Sequence, residues 1–343
     1  MYSEQELEGA IAAGAISAEA ANALRNHVAV QRSTSLVDEE SFRLLSGFND
    51  IFVTIALVLL LAALAGIGGE SSAGLAGALV AGASWGLAEY FTRRRRMALP
   101  SIILLLSFVG GVAATMVGTL VDMAPNMGER AGAITLAMIA AVTAASAWGH
   151  WLRFHVPITI AAGAIAVVGV GVALVLAANP DLIQFVEYFV LAGGIGIFAL
   201  AMWWDMSDRE RKTRRADVAF WLHLAAAPMI AHPIFQLLGV MEGTIGSAQA
   251  VIVITLYIAF ALVSLAIDRR ALLVSSLAYV LFAMNALFET FGAVSLNIAL
   301  TGLVIGSALL LLSAFWHPVR RAVVGTLGQL GDRLPPVQML AKV

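Results

Sequence analysis

No cysteine occurs anywhere in the 343 residues. That excludes disulfide frameworks, thiolate metal sites and cysteine nucleophiles. Charge is scarce as well: Asp, Glu, Lys and Arg make up 12% of the chain, about half the share usual in soluble domains. No Walker motif or HExxH is present, so phosphate-loop and zinc-protease chemistry have no signature. Residues 1–47 are acidic and hold no apolar run before Phe48. A signal peptide is therefore not expected, and the first apolar segment is expected to remain as a membrane anchor.

What the chain has instead is apolar length. Hydrophobic residues reach 60% and the mean hydropathy is +0.90. A helix of about 20 apolar residues crosses a bilayer core, and ten segments qualify: roughly 48–67, 72–91, 98–121, 131–149, 156–178, 183–204, 218–240, 248–267, 271–290 and 294–316. Backbone groups in lipid must bond within their own segment, which makes these helices. None shows the alternation of a membrane barrel strand. The expected fold is an all-α polytopic bundle of ten transmembrane helices.

Lys and Arg set its orientation, because they are retained on the cytoplasmic side. With the N-terminus inside, 19 of the 20 basic residues fall inside and only Arg130 lies outside. The seven tryptophans, Trp85, Trp148, Trp151, Trp203, Trp204, Trp221 and Trp316, all sit near cytoplasmic ends, where an indole is buried yet keeps its N–H wet. Both termini are thus expected in the cytoplasm of a cell with this protein in its inner membrane.

Two soluble pieces flank the spans. In residues 1–47, Ser3 with Glu6 reads as a capping box and Gly14 as a C-cap. Ser17 caps a second helix running to about Gln31, and Asp38 starts a linker helix into the first span. In 317–343, Val319, Val323, Leu327 and Leu330 mark one face of an amphipathic helix beside Arg320 and Arg321, suited to the inner leaflet. Neither piece is long enough for an enzyme core, so no enzymatic activity is expected and function must be built from the helices.

Ionisable groups inside spans are costly in lipid and are the default candidates. Glu89, Glu187, His223, His232 and Glu289 stand out. Counting 1.5 Å per residue puts His232 about 22 Å above the inner end of the seventh span. Gln236 lies one turn further on, and Glu187, Glu289, Asn285 and Asn297 share that level. These six residues are the expected lining of an outer-half polar cavity. The bland reading gives each carboxylate to the interface; Glu89, four residues before Arg93, then forms an i,i+4 ion pair. His223 and His232 invite a haem or metal, but nine residues of helix place them on opposite faces. No cofactor and no metal site is expected. Pro228 and Pro233 in the same span are expected to break it, and broken spans are where transporters place binding sites. The bland counterpart is a simple kink.

The runs LEGAIAAGAISAEAANAL at 7–24, VDEESFRLLSGFNDIFVTIALVLLL at 37–61 and WGLAEYFTRRRRMALPSI at 85–102 resemble bacterial multi-pass inner-membrane proteins of unknown function, which place a short cytoplasmic helical hairpin before eight to ten spans. That resemblance implies a fold and no activity. The span count is also similar to that of ten-span drug/metabolite transporters, whose two five-helix halves are inverted repeats; that likeness pairs the second span, with Glu89, and the seventh, with His232. Two functional readings stand. One is a secondary transporter of a small or amphipathic solute, with membrane lipids and that solute as partners. The other is a non-transporting scaffold, regulator or assembly factor that engages a protein partner or a second copy through its hairpin. No nucleic acid is expected in either.

Overall fold

The computed structural model describes residues 10–24, 48–124, 126–209, 211, 213–240, 246–290 and 297–336. Its contacts divide the chain into two units, Met1–Arg43 with Gln338–Val343, and Leu44–Val337. In the first unit, 10–12 and 18–24 are helical. Gly14 takes φ +70°, the left-handed conformation of a C-cap. The Ser17 hydroxyl accepts a hydrogen bond from the Ala20 N–H at 3.1 Å, as an N-cap does. Ser3, Glu6, Gln31 and Asp38 lie outside the described residues.

The second unit is helical throughout its described length. We number its helices α1 (Phe48–Gly69), α2 (Ala73–Ala88), α3 (Ala98–Met123), α4 (Glu129–Phe154), α5 (Ile158–Ala178), α6 (Val186–Ser207), α7 (Arg214–Leu237), α8 (Ser247–Ile267), α9 (Ala271–Thr290), α10 (Asn297–Ala314) and α11 (Trp316–Thr326). Each of the ten apolar segments coincides with one of α1–α10. Seven described helices are long and apolar enough to cross a membrane alone. An eighth crossing results if Ala299–Ala314 and Trp316–Thr326, bent by 76° at their junction, count as one span. The chain is an integral, multi-pass membrane protein.

Neighbouring helices pair as antiparallel hairpins: α2 with α3, α4 with α5, α6 with α7, α8 with α9. Glycine makes the first of these pairs close. A Cβ on Gly118 of α3 would lie 2.5 Å from the Gly74 nitrogen of α2, and one on Gly111 would lie 2.8 Å from the Ala81 nitrogen. Backbone therefore meets backbone along this seam, as small residues allow in lipid.

α7 is the central helix. Half of its apolar window is buried (50%), against at most 33% in the other six spans. It packs against α5, α6 and α9. The expected break at its prolines is absent: α7 runs as one helix through Pro228 and Pro233. A proline lacks its N–H and leaves the carbonyl four residues back without a donor. For Pro233 that carbonyl belongs to Met229. Gly194 of α6 packs directly on it, close enough that a Cβ there would be 2.9 Å from the Met229 oxygen. The α6 backbone is thus packed against the freed carbonyl, and α7 continues through the proline.

Candidate functional site

The C-terminal half of α7 holds the first polar group. His232 Nδ1 and the Tyr279 hydroxyl of α9 share a hydrogen bond of 2.6 Å. Tyr279 stacks on Phe235 at 4.3 Å, with 19° between the rings. Phe235 is fully buried, so the core fixes the tyrosine and the tyrosine fixes the imidazole. Glu187 of α6 is half-buried and within electrostatic reach of Tyr279. Gln236 is half-buried one turn beyond His232, and Asn285 is half-buried on α9. Glu289 and Asn297 belong to α9 and α10, but their side chains lie outside the described residues. Of the six residues expected in one cavity, His232 has the direct polar partner, Tyr279, and Glu187 lies within electrostatic reach of that tyrosine.

Beside this group runs a groove of about 880 Å³ between α3, α4, α5, α6 and α7. α5 lines it from Ile158 to Leu176, nearly end to end, with Ala140 and Thr143 of α4 and Trp221, Ala225 and Pro228 of α7. The lining is almost wholly apolar. Trp221, Ala225, Pro228 and His232 follow one another at i, i+4, i+7 and i+11, which is one face of a helix. All four retain some exposure, while Leu222, Ala226, Ala227 and Ala231 behind them are fully buried. His232 thus lies on the groove-facing side of α7, one turn beyond Pro228 and outside the groove's own lining.

A second polar group lies at the opposite, basic end. Asp205 of α6 is 1% exposed, and His223 of α7 is 2% exposed. His223 Nε2 donates to Asp205 Oδ2 at 2.9 Å. Arg269, in the turn between α8 and α9, grips the same carboxylate with NH2 on Oδ1 at 2.6 Å and Nε on Oδ2 at 3.2 Å. Its NH2 also donates to the Ala216 carbonyl at 3.2 Å. A buried charge is tolerated only when paired and hydrogen-bonded, and this carboxylate is held from two sides. Phe198 contacts the imidazole edge-on at 5.2 Å. His223 Nδ1 is buried with no hydrogen-bond partner among the described residues.

The residue before Arg269, Asp268, joins that core to the C-terminal segment. It takes the left-handed conformation at the end of α8, φ +58°. Its carboxylate accepts from Arg211 NH1 at 2.9 Å and from the Trp316 indole at 2.8 Å, with Arg320 Nε 3.4 Å away. Burial alone would raise the Asp268 carboxyl; Arg211, Arg320, the Trp316 N–H and Arg269 together hold it below its usual 3.8. Arg320 in turn donates to the Pro335 carbonyl at 2.6 Å and the Pro336 carbonyl at 3.3 Å. The buried face of α11 is thus Trp316 and Arg320, with Val323 packed beside Leu265 and Leu273.

Glu89 bridges elements: it accepts from Arg93 NH1 at 3.2 Å, and from Arg153 of α4 through Nε at 2.7 Å and NH2 at 3.1 Å. The i,i+4 pair expected from sequence is present; the tertiary pair to Arg153, 64 residues away, has no signature in the spacing. His150 is fully buried among the rings of Trp85, Phe108 and Phe154. Among the described residues no group of three or more His, Asp or Glu is placed to hold a metal ion. Sequence reasoning missed Asp205, Asp268, Arg269 and Tyr279. Asp205 lies in the run 203–235, the densest in unusual residues; Tyr279 carries no signal beyond a polar atom in an apolar span. Comparison of the chain with protein-family models, with curated proteins and with solved structures finds no match.

Proposed function

We propose that this chain is a membrane carrier for an amphipathic, lipid-like solute, with ten spans and both termini in the cytoplasm. One observation carries the reading: the face of α7 that lines the apolar groove carries, one turn beyond that lining, a hydrogen-bonded histidine. An amphipathic molecule needs a long apolar wall for its tail and a polar contact for its head. The wall is α5 with the Trp221–Ala225–Pro228 stripe of α7. The head contact is the His232–Tyr279 pair, with Glu187 at hand. His232 both donates and accepts through its two ring nitrogens, and its Nδ1 is occupied by Tyr279, which turns Nε2 outward. The solute's tail enters from lipid, the same apolar medium, so recognition falls on the head. The second span supports the count of ten: α2 has 16 residues, and the π-turn Glu89–Arg94 that follows brings it to bilayer length.

A photoactivatable diazirine fatty acid tests this reading. The purified protein in lipid nanodiscs should crosslink it at α5 and α7. Gly169 lines the groove, and Gly169→Leu should abolish the crosslink by filling it. Gly171, on the same helix, is exposed, and a Cβ added there would meet nothing within 4 Å; Gly171→Leu should leave the crosslink intact. His232→Ala should lower flux of the same fatty acid in proteoliposomes. Labelling that ignores Gly169→Leu would sink the carrier reading and leave the scaffold reading in its place.

A further inference from the structure

The basic end of α2 is not an ordinary helix terminus. Glu89–Arg94 form a π-turn, and Arg95 closes it by donating its backbone N–H to the Tyr90 carbonyl. Arg93, Arg94, Arg95 and Arg96 leave this turn in succession, all exposed. Arg96 takes φ +54°, a left-handed conformation that residues with a Cβ seldom adopt. The turn is fixed from beneath. Thr92 is buried, and Phe91 packs on Leu57, Leu61, Ala88 and Leu104. It is also fixed from the side, because Glu89 binds both Arg93 and Arg153 of α4. Arg95 lies over the Tyr90 ring at 5.7 Å. The single carboxylate here is engaged by Arg93 and Arg153. Arg94, Arg95 and Arg96 have no carboxylate partner among the described residues.

Arginine near a span end is first of all a topology signal, and that signal reads charge alone. It does not need a π-turn, a left-handed arginine or a carboxylate tying the turn to a second helix. Those features fix the backbone from which Arg94, Arg95 and Arg96 project, so their guanidinium groups leave one defined turn. π-turns recur at functional sites for the same reason.

We propose that this turn is a binding site for the phosphodiester headgroup of an anionic lipid. The planar guanidinium fork matches two phosphate oxygens at once. Tyr90, 44% exposed and with Arg95 5.7 Å over its ring, stands beside the arginines, and such amphipathic rings favour the membrane interface. The site is separate from the groove of the carrier reading and stands whether or not that reading holds.

Full-length protein in detergent, titrated with phosphatidylglycerol or phosphatidylcholine and followed by native mass spectrometry, tests the proposal. The triple variant Arg94→Gln, Arg95→Gln, Arg96→Gln keeps Glu89, Arg93 and Arg153. It should weaken phosphatidylglycerol binding on the order of 100-fold, with phosphatidylcholine unchanged. Arg96→Gly suits the left-handed backbone and removes one guanidinium; it should cost about fivefold, and it reads the site even if the triple variant fails to fold. Arg209→Gln, Arg214→Gln, Arg215→Gln removes equal charge from another exposed basic stretch and should leave the tight site intact. An equal loss in that control, unchanged binding in Arg96→Gly, or displacement of the lipid by equimolar inorganic phosphate would overturn the proposal.

Discussion

Arg269 and Asp205 meet at 2.6 Å with 3% and 1% of their side chains exposed. Each charge is tolerable only because the other is there. Removing one partner of such a pair strands the other and costs about 3–5 kcal/mol, whereas replacing both with apolar groups is often near neutral. Arg269→Leu and Asp205→Leu should each lower the melting temperature in detergent sharply. The double variant should melt above either single one. Tryptophan fluorescence reads this directly, since Trp203 and Trp204 adjoin Asp205 in sequence and Trp221 lies near His223. Additive losses would show that the two residues do not act as a unit.

The Asp268 clasp predicts an acid response. Its carboxyl is held below 3.8 in the folded protein by Arg211, Arg320 and the Trp316 N–H, against the opposing effect of burial. A depressed carboxyl pKa adds stability that is complete above the unfolded value and fades as pH falls through the folded one. The contribution of Asp268 should therefore be constant from pH 7 to about pH 5 and fade progressively as pH falls below about 4. Asp268→Asn should melt lower than the parent at pH 7, and the gap should close in acid. A gap that does not narrow as pH falls below about 4 would mean that packing, and not charge, is what the clasp supplies.

Much of this was legible in the sequence, and for one reason. Apolar length is a one-dimensional property, so all ten segments stand where helices stand. The same holds for Glu89 and Arg93, which are neighbours along one helix. Tertiary partners leave no such trace. Nothing in the spacing of Asp205, His223 and Arg269 brings α6, α7 and the α8–α9 turn together. Tyr279 was invisible because one hydroxyl in an apolar run is unremarkable until it meets His232. The prolines of α7 misled because the rule that they break helices concerns the isolated chain. In the bundle α7 runs through both prolines, with Gly194 of α6 packed on the Met229 carbonyl.

Gly110 and Gly111 are adjacent in α3 and should respond oppositely to the same substitution. A Cβ at Gly111 meets the Ala81 nitrogen at 2.8 Å and the Gly77 oxygen at 2.9 Å, while one at Gly110 meets nothing within 4 Å. Backbone atoms of a packed helix cannot step aside. Gly111→Ala should push α2 from α3 and destabilise by roughly 1–3 kcal/mol. Gly110→Ala should be neutral or stabilising by up to about 1 kcal/mol through helix propensity. Thermal aggregation in detergent compares the two, and similar losses would refute the close α2–α3 seam.

The absence of cysteine makes the proposed topology directly testable, because each introduced thiol reports without background. Ser71, Asn126, Asp181 and Gly246 are exposed between α1 and α2, α3 and α4, α5 and α6, and α7 and α8. With ten spans and the N-terminus inside, cysteine at each of these should react with a membrane-impermeant maleimide added to intact cells. Ser207 and Thr326 are exposed at the other end, and cysteine there should react only after permeabilisation. The position at 246 carries the most information. α7 is the least apolar of the seven clear spans and the only one with two internal prolines. If it failed to cross, the loop before α8 would stay inside and the turn holding Asp268 and Arg269 would move outside. Arg269 would then face the compartment opposite Asp205, and their 2.6 Å pair would be broken. Labelling of Gly246→Cys in intact cells is therefore the expected result, and its protection there would require a different pairing for both buried charges.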